Sequence, residues 1–360
     1  MPWSHRRIVA LENDLLRLET LPAGGHIASV RLKPDGVNPL WDPPWETIEP
    51  SSYDSRRHPE YGAAPEAGLL AGIVGHNLCF DFFGAPSEEE QRAGLMVHGE
   101  ASVVDWRDSR PADNELVLEA ELPLAQMRIE RRLRLAPGSR VVQVQETAEN
   151  LASVDRAVGW QQHVTLGPPF LEKGKTLFRM PATRCRSFDA EFAPGHDRVA
   201  PATDFDWPSA PTPDGGVTDL QVAAGDPVSG AYTAQLLDPA VERPWFTAWS
   251  PTTRTLFGYV WRRSDFPWIG IWEENSSRRQ PPWNGRTLTR GLEFGTCAFP
   301  EGRRGAVERG RLFGERTYGW IPARSKVTVE YRLFLTKSDG PADKVVWRDD
   351  TVEIPGLGAL

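Results

Sequence analysis

Alternation at period two constrains this chain more than any other feature. Leu116, Leu118, Ala120 and Leu122 alternate with Val117, Glu119 and Glu121. Met127, Ile129, Leu133 and Leu135 share one parity, with Arg128, Glu130, Arg132 and Arg134 on the other. Val327, Val329, Tyr331, Leu333 and Leu335 repeat the scheme near the C-terminus. Arg131 breaks the pattern as a charge on the apolar side. Successive strand side chains point to opposite faces, so such runs predict half-buried antiparallel strands. Turn signals punctuate them at Pro34-Asp35-Gly36, Ala136-Pro137-Gly138 and Pro213-Asp214-Gly215-Gly216. Helical signals are scarce: Ser87 with Glu90 forms a capping-box pattern that predicts one short helix over Glu88–Ala93. The expected fold class is all-β, a large antiparallel β-sandwich, with one domain over residues 1–345 and a C-terminal tail over 346–360. Two segments, Asp42–Glu66 and His196–Asp219, read as long loops, which inside a domain are usually functional or disordered.

Composition narrows the partners. The formal net charge of −8 disfavours nucleic acid or an anionic membrane surface, both of which need a basic face. No apolar stretch approaches the roughly 18 residues of a membrane span, and the N-terminus lacks the apolar run of a secretory signal. The chain is therefore expected to be soluble and cytoplasmic. Its 3 cysteines, Cys79, Cys185 and Cys297, lie far apart and form neither a zinc spacing nor a disulfide framework. The 14 tryptophans nearly match the 15 phenylalanines, and two or three of them are expected to line a site. An indole offers a wide apolar face and one N–H donor, which suits the C–H face of a sugar ring.

The stretch Trp160-Gln161-Gln162-His163-Val164-Thr165-Leu166-Gly167-Pro168-Pro169 reads as a strand running into a bend. If Val164 and Leu166 face a core, then Gln161, His163 and Thr165 face the other way, placed to meet a polar ligand. The bland alternative is a histidine satisfied by backbone partners. Glu293 in Arg290-Gly291-Leu292-Glu293-Phe294-Gly295 faces opposite Leu292 and Phe294, between glycines that let a ligand approach. A carboxylate and an imidazole facing one pocket can act as base and acid. Such a couple suffices to open and reclose a sugar hemiacetal, with no metal, nucleotide or other cofactor. Further candidates are His76 and Asn77 in an aromatic strand, His98 before Gly99, and Trp272 followed by Glu273 and Glu274. The basic pairs Arg278-Arg279 and Arg303-Arg304 read as solvated loop charges.

These segments together resemble the galactose mutarotase-like superfamily, which includes aldose 1-epimerases and hexose-6-phosphate mutarotases. VGHNLCFDFFG resembles its aromatic strand, VHGEAS its His-Gly segment, WQQHVTLGPPFL the segment of its catalytic histidine, and GLEFGTCAFPEG that of its catalytic glutamate. LPAGGHI through Leu40-Trp41 resembles its first hairpin. The resemblance implies a β-supersandwich, with His163 as general acid, Glu293 as general base, and His98 bonding the sugar near its ring oxygen. It implies a substrate-binding role for His76 or Asn77, which stand near the family's arginine, and for Glu273 or Glu274 after Trp272 in place of the family's aspartate. No arginine pair for a phosphate can be placed. The implied activity is interconversion of the α and β anomers of a free sugar. Two other readings stay open: a sugar-binding protein without chemistry, and a metal-dependent sugar isomerase using His98, Glu100 and His163 as ligands. A glycosidase would need two carboxylates, such as Glu293 and Glu273, and would leave His163 idle. Oligomeric state is not legible.

Overall fold

The alternating runs form strands, and they fall together in one place. In a computed structural model of the protein, which describes residues 1–63 and 65–360, an eight-stranded sheet contains all three. Its order is Leu177–Arg179, Trp245–Ser250, Thr255–Trp261, Lys326–Lys337, Val141–Asn150, Met127–Leu135, Glu115–Leu122 and Arg107–Ala112. Burial alternates residue by residue along Met127–Leu135 and, from Val142 on, along Val141–Asn150, because one face packs inward and the other is largely open.

The second sheet has eleven strands. Its order is Val9–Glu12, Leu16–Leu21, His26–Leu32, His76–Asp81, Arg156–Leu166, Leu288–Gly295, Trp268–Asn275, Ser229–Leu237, Ala182–Ser187 and Asp204–Asp206, with Gly319–Ile321 paired beside Arg156–Leu166. Here the expected alternation is absent: every residue of Trp268–Asn275 and of Ser229–Leu237 is buried. The reason is cover on both faces. On the inner face Leu78, Phe80, Val164, Leu292 and Phe294 share one core with Leu118, Ile129, Val144, Tyr259 and Leu333 of the smaller sheet. On the outer face a second cluster, including Trp41, Phe83, Tyr232, Trp272 and Trp283, packs with Leu69 and Leu70 of the helix Ala67–Leu70. The architecture is thus the expected all-β antiparallel sandwich.

The expected helix is found as Glu88–Arg92, with Ser87 and Glu90 exchanging side-chain-to-backbone hydrogen bonds and Ala93 as the C-cap. The segment 42–66 carries two single turns of 3₁₀ helix, Pro50–Ser52 and Pro59–Tyr61. The segment 196–219 is more regular than a loop. Asp204–Asp206 extends the large sheet, and Ser209–Pro211 pairs with Val217–Asp219. Residues 346–360 fold back as a three-stranded sheet, whose Trp347, Val352 and Ile354 pack on Val141, Val260 and Phe334. Among the described residues no helix is long and apolar enough to cross a membrane.

Arg131, the exception in the pattern, lies between the sheets. Its Nε donates to Glu146 at 2.7 Å and one terminal nitrogen to the Gly25 carbonyl at 2.6 Å. Glu146 also accepts from Trp160 Nε1 at 2.9 Å, Gln162 Nε2 at 2.6 Å and the Tyr331 hydroxyl at 2.9 Å. Gln162 in turn meets His76, whose other nitrogen meets the Tyr259 hydroxyl, both at 2.9 Å. A buried charge is tolerated here because Glu146 pairs with it and the Gly25 carbonyl takes a second donor, which leaves one terminal nitrogen of Arg131 without a partner.

Replacing Glu146 by alanine leaves Arg131 charged and unpaired among apolar side chains. Urea unfolding of this variant should show a loss of about 3–5 kcal/mol; an unchanged midpoint would contradict the network's role. A second expectation concerns acid. Burial pushes the His76 ring well below the usual imidazole range, and nearby Arg131 adds to it; burial does the same to His26, with Arg6 and Arg131 contributing. The fold therefore holds both rings neutral, while the unfolded chain protonates them below about pH 6.5. Only the unfolded state takes up these protons, so stability is complete above that pH and declines below it, by about 1.4 kcal/mol per pH unit per group. Urea midpoints should fall accordingly on acidification, and the slope should flatten by one group's worth in His26→Phe.

Candidate active site

Two neighbouring strands of the large sheet build the centre of the site. Arg156–Leu166 and Leu288–Gly295 pair antiparallel in a register that sets His163 directly opposite Glu293. Val164 and Leu292 turn inward to the core, so His163 and Glu293 turn outward. His163 Nε2 stands 2.9 Å from Glu293 Oε1. That is ion-pair distance, but the approach is off the N–H axis and leaves Oε1 without a directed hydrogen bond. The other ring nitrogen, Nδ1, lies 2.9 Å from the Thr165 hydroxyl, two residues along on the same face. When the ring is an imidazolium both nitrogens are donors. Nδ1–H then donates to Thr165, and Nε2–H is the proton that can be handed on. Gly291 makes room for the carboxylate: a Cβ there would meet Glu293 Oε1 at 2.5 Å.

His163 and Glu293 open into a cavity of ≈ 260 Å³ on the outer face of the large sheet. His98 joins them, its ring centre 5.3 Å from that of His163, and Trp272 flanks His163 at 5.6 Å. His98 is not on a strand. It sits in a turn with φ 69°, followed by Gly99 at φ 78°. A Cβ on Gly99 would stand 2.0 Å from the Phe80 carbonyl, so only glycine lets this turn press against the aromatic strand. The His98 ring stacks on Phe83 at 5.3 Å, and its Nδ1 has no hydrogen-bond partner. Burial, then the charge of His163 and of Arg278, pushes its pKa well below the usual imidazole range.

Other candidates are placed elsewhere. His76 faces inward, to Tyr259 and Gln162, because it has the opposite parity to the outward-facing residues of its strand. Asn77 is the cross-strand partner of His163 and faces outward. It does not line the cavity: its amide nitrogen donates to Ser102 Oγ at 3.0 Å, and its Oδ1 has no partner. Gln161 is outward but committed, donating to the Glu293 carbonyl at 2.7 Å and accepting from the Cys297 N–H at 3.1 Å. Glu273 is turned away from the cavity that Trp272 lines. Arg198 grips its two oxygens at 2.7 and 2.8 Å, and Arg290 reaches it at 3.0 Å. Burial would raise this carboxyl, but the two guanidinium groups outweigh it and hold it below the usual range. Strand parity accounts for the correction: Trp272 and Glu273 are consecutive and must face opposite ways. Glu100 accepts from the Leu124 and Ala125 N–H groups at 3.3 and 2.8 Å, apart from the two histidines. Among the described residues no three His, Cys, Asp or Glu side chains converge as a metal site.

One cavity residue escaped sequence reading. Arg278, taken as a solvated charge, lines the cavity, its guanidinium carbon 4.9 Å from the Trp283 ring and 5.8 Å from Trp272. Glu274 holds the turn that presents it, accepting from the Ser277 and Arg278 N–H groups at 2.6 and 3.0 Å. Arg303 pairs with Asp81 and Glu90 instead of standing free in water, whereas Arg304 is a surface charge as expected. Of the two long segments, 42–66 contributes Glu66 to the cavity and 196–219 contributes no lining residue.

No protein-family model matches this chain, and no curated protein matches it. Solved structures do. A protein from Klebsiella pneumoniae subsp. pneumoniae, provisionally named an aldose 1-epimerase, superposes with a TM-score of 0.64 at 14% identity, over 91% of this chain and 78% of that one. A galactose mutarotase-like protein from Clostridium acetobutylicum gives 0.59 at 11% identity, over 93% and 96%. A galactose mutarotase related enzyme from Lactobacillus acidophilus gives 0.58 at 12%, over 92% and 99%. At these identities the likeness is one of fold.

Proposed function

Starting from the galactose mutarotase-like fold of this chain, we propose that it is an aldose 1-epimerase-like isomerase, interconverting the α and β anomers of a free sugar. One observation carries the reading: an acid–base couple of His163 and Glu293, 2.9 Å apart, at a cavity wall. The anomeric hydroxyl and the ring oxygen of an aldose are bonded to the same carbon. A donor and an acceptor that serve both must therefore be neighbours, as these are.

In the proposed reaction the Glu293 carboxylate takes the proton of the anomeric hydroxyl. The His163 imidazolium gives its Nε2 proton to the ring oxygen as the bond from that oxygen to the anomeric carbon breaks. The product is an open-chain aldehyde with its hydroxyl restored. Rotation about the bond next to the carbonyl presents its other face, and the two transfers run in reverse to close the ring. Thr165 acts as a positioning residue, holding Nδ1 so that Nε2 points to the substrate. His98 would bond the sugar beside its ring oxygen. No step calls on a metal or redox cofactor. A binding protein without chemistry has no use for the couple, and a metal-dependent isomerase would need a ligand that Glu100, held by Leu124 and Ala125, does not supply.

The test is polarimetry, or proton NMR of anomer exchange, on freshly dissolved α-sugars. Glu293→Gln and His163→Asn should each slow the catalysed rate by about 10²–10⁴-fold, while circular dichroism and urea midpoint stay near wild type. Equal rates for wild type and both variants across a broad aldose panel would end the catalytic reading. Gly291→Ala is expected to cost activity through position alone, since its new methyl displaces the Glu293 carboxylate. Its kcat should fall with the fold retained; wild-type kcat would show that the carboxylate's placement is not limiting.

A further inference from the structure

Buried tryptophans in this protein commonly spend their indole N–H within the fold. Trp3, Trp106, Trp160, Trp261 and Trp268 each donate to a carboxylate or a backbone carbonyl, at distances between 2.7 and 2.9 Å. Trp283 is just as deeply buried, yet among the described residues its Nε1 meets no acceptor. An indole N–H left unpaired away from water costs free energy. A phenylalanine would fill most of the same space without that cost. Trp283 lines the cavity of His163 and Glu293. Two more buried atoms without a partner belong to residues of this cavity, Glu293 Oε1 and His98 Nδ1. The reaction proposed above uses both of those residues, and it leaves the Trp283 N–H without a role.

The ring that carries this donor is held on several sides. Trp41 stacks on it, with centroids 6.2 Å apart and planes inclined by 13°. Trp45 and Trp272 meet it edge to face at 5.1 and 6.1 Å. Its backbone lies in a turn closed by two hydrogen bonds, from the Ser276 N–H to the Thr287 carbonyl and from the Gly285 N–H to the Arg278 carbonyl, both at 2.8 Å. The segment 42–66 presses on that turn: a Cβ on Gly62 would stand 2.6 Å from the Pro281 carbonyl. A donor fixed in this way loses little freedom when a ligand arrives, so its hydrogen bond adds to affinity at small ordering cost. A hydroxyl group accepts as well as donates, and a sugar can therefore supply the acceptor that the fold does not. Resting on the anomer-exchange reading for the identity of the ligand, we infer that Trp283 is a specificity-determining residue whose Nε1–H donates to one hydroxyl of the bound aldose.

Trp283→Phe keeps an aromatic ring and removes the donor. The urea midpoint of the ligand-free variant should move little, because the packing lost with the smaller ring is offset by the loss of an unpaired N–H. Trp268→Phe is the contrast: its N–H is spent on the Arg316 carbonyl, so it should lose stability and keep its affinity for sugar. Calorimetric titration of the intact protein with the aldose it binds best should show affinity weakened by about 3- to 10-fold in Trp283→Phe, the worth of one hydrogen bond. The decisive comparison takes the monodeoxy forms of that aldose, one for each hydroxyl except the anomeric one. At one position, loss of the hydroxyl should weaken binding to wild type and leave binding to Trp283→Phe unchanged. An equal loss on both proteins at every position overturns the inference, and so does a destabilised Trp283→Phe that binds sugar like wild type. Calorimetry needs no turnover, so the reaction is judged separately, by anomer exchange. Coupling at one hydroxyl without anomer exchange leaves the donor standing and ends the reaction. Anomer exchange without coupling ends the donor and leaves the reaction, and an absence of aldose binding ends both.

Discussion

The register between Arg156–Leu166 and Leu288–Gly295 is the constraint on which the rest of the molecule depends. It sets Glu293 against His163 and, by the same pairing, Leu292 against Val164. Because side chains alternate, a slip of one residue would send the carboxylate into the core and an apolar side chain into the cavity. The register is fixed from both faces. Leu292, Phe294 and Val164 belong to the core between the sheets, while Gln161 bridges the Glu293 and Cys297 backbones from outside. The acid–base contact is thus a by-product of packing that would be costly to rearrange.

The large sheet separates two kinds of buried polarity. Inward, Arg131, Glu146, Gln162, His76 and Tyr331 bond one another in a network in which the second terminal nitrogen of Arg131 is the one side-chain atom without a partner. Outward, Glu293 Oε1 and His98 Nδ1 lack hydrogen-bond partners, and Arg278 meets Glu66 and Glu274 only at 3.7 and 3.6 Å. A satisfied network holds a fold in one arrangement, whereas unspent donors and acceptors beside a cavity are available to something else. This contrast distinguishes His163 from His76. Both are buried histidines on adjacent strands, and only the residues around them tell the one enclosed in the core network from the one that opens to a cavity.

Much of the sandwich was legible because the smaller sheet is wet on one side. Met127–Leu135 displays its parity openly, and Ser87 with Glu90 announced the short helix. The outward pointing of His163 and Glu293 also followed from parity against Val164, Leu292 and Phe294. Parity misled where it was not applied: Trp272 and Glu273 are adjacent and cannot serve one cavity, and His76 shares the inward face with Leu78. Arg278 looked like a surface charge because no periodicity marks it: Trp272 and Trp283 lie a few residues before and after it, and only the folded turn brings both rings to its guanidinium.

What the sequence determined alone was therefore local: strand character, the faces of individual residues, and the order of segments that resemble the galactose mutarotase-like superfamily. Period and turn chemistry act over a few residues, and the chain displays them wherever one face meets water. The tertiary structure alone decided which outward faces converge. It brought residues 98, 163, 272, 278 and 293 to one cavity and lined the space between them with aromatic rings. Convergence of this kind depends on strand order and register across the whole sheet, which are set by the sum of core packing and not by any segment's own pattern.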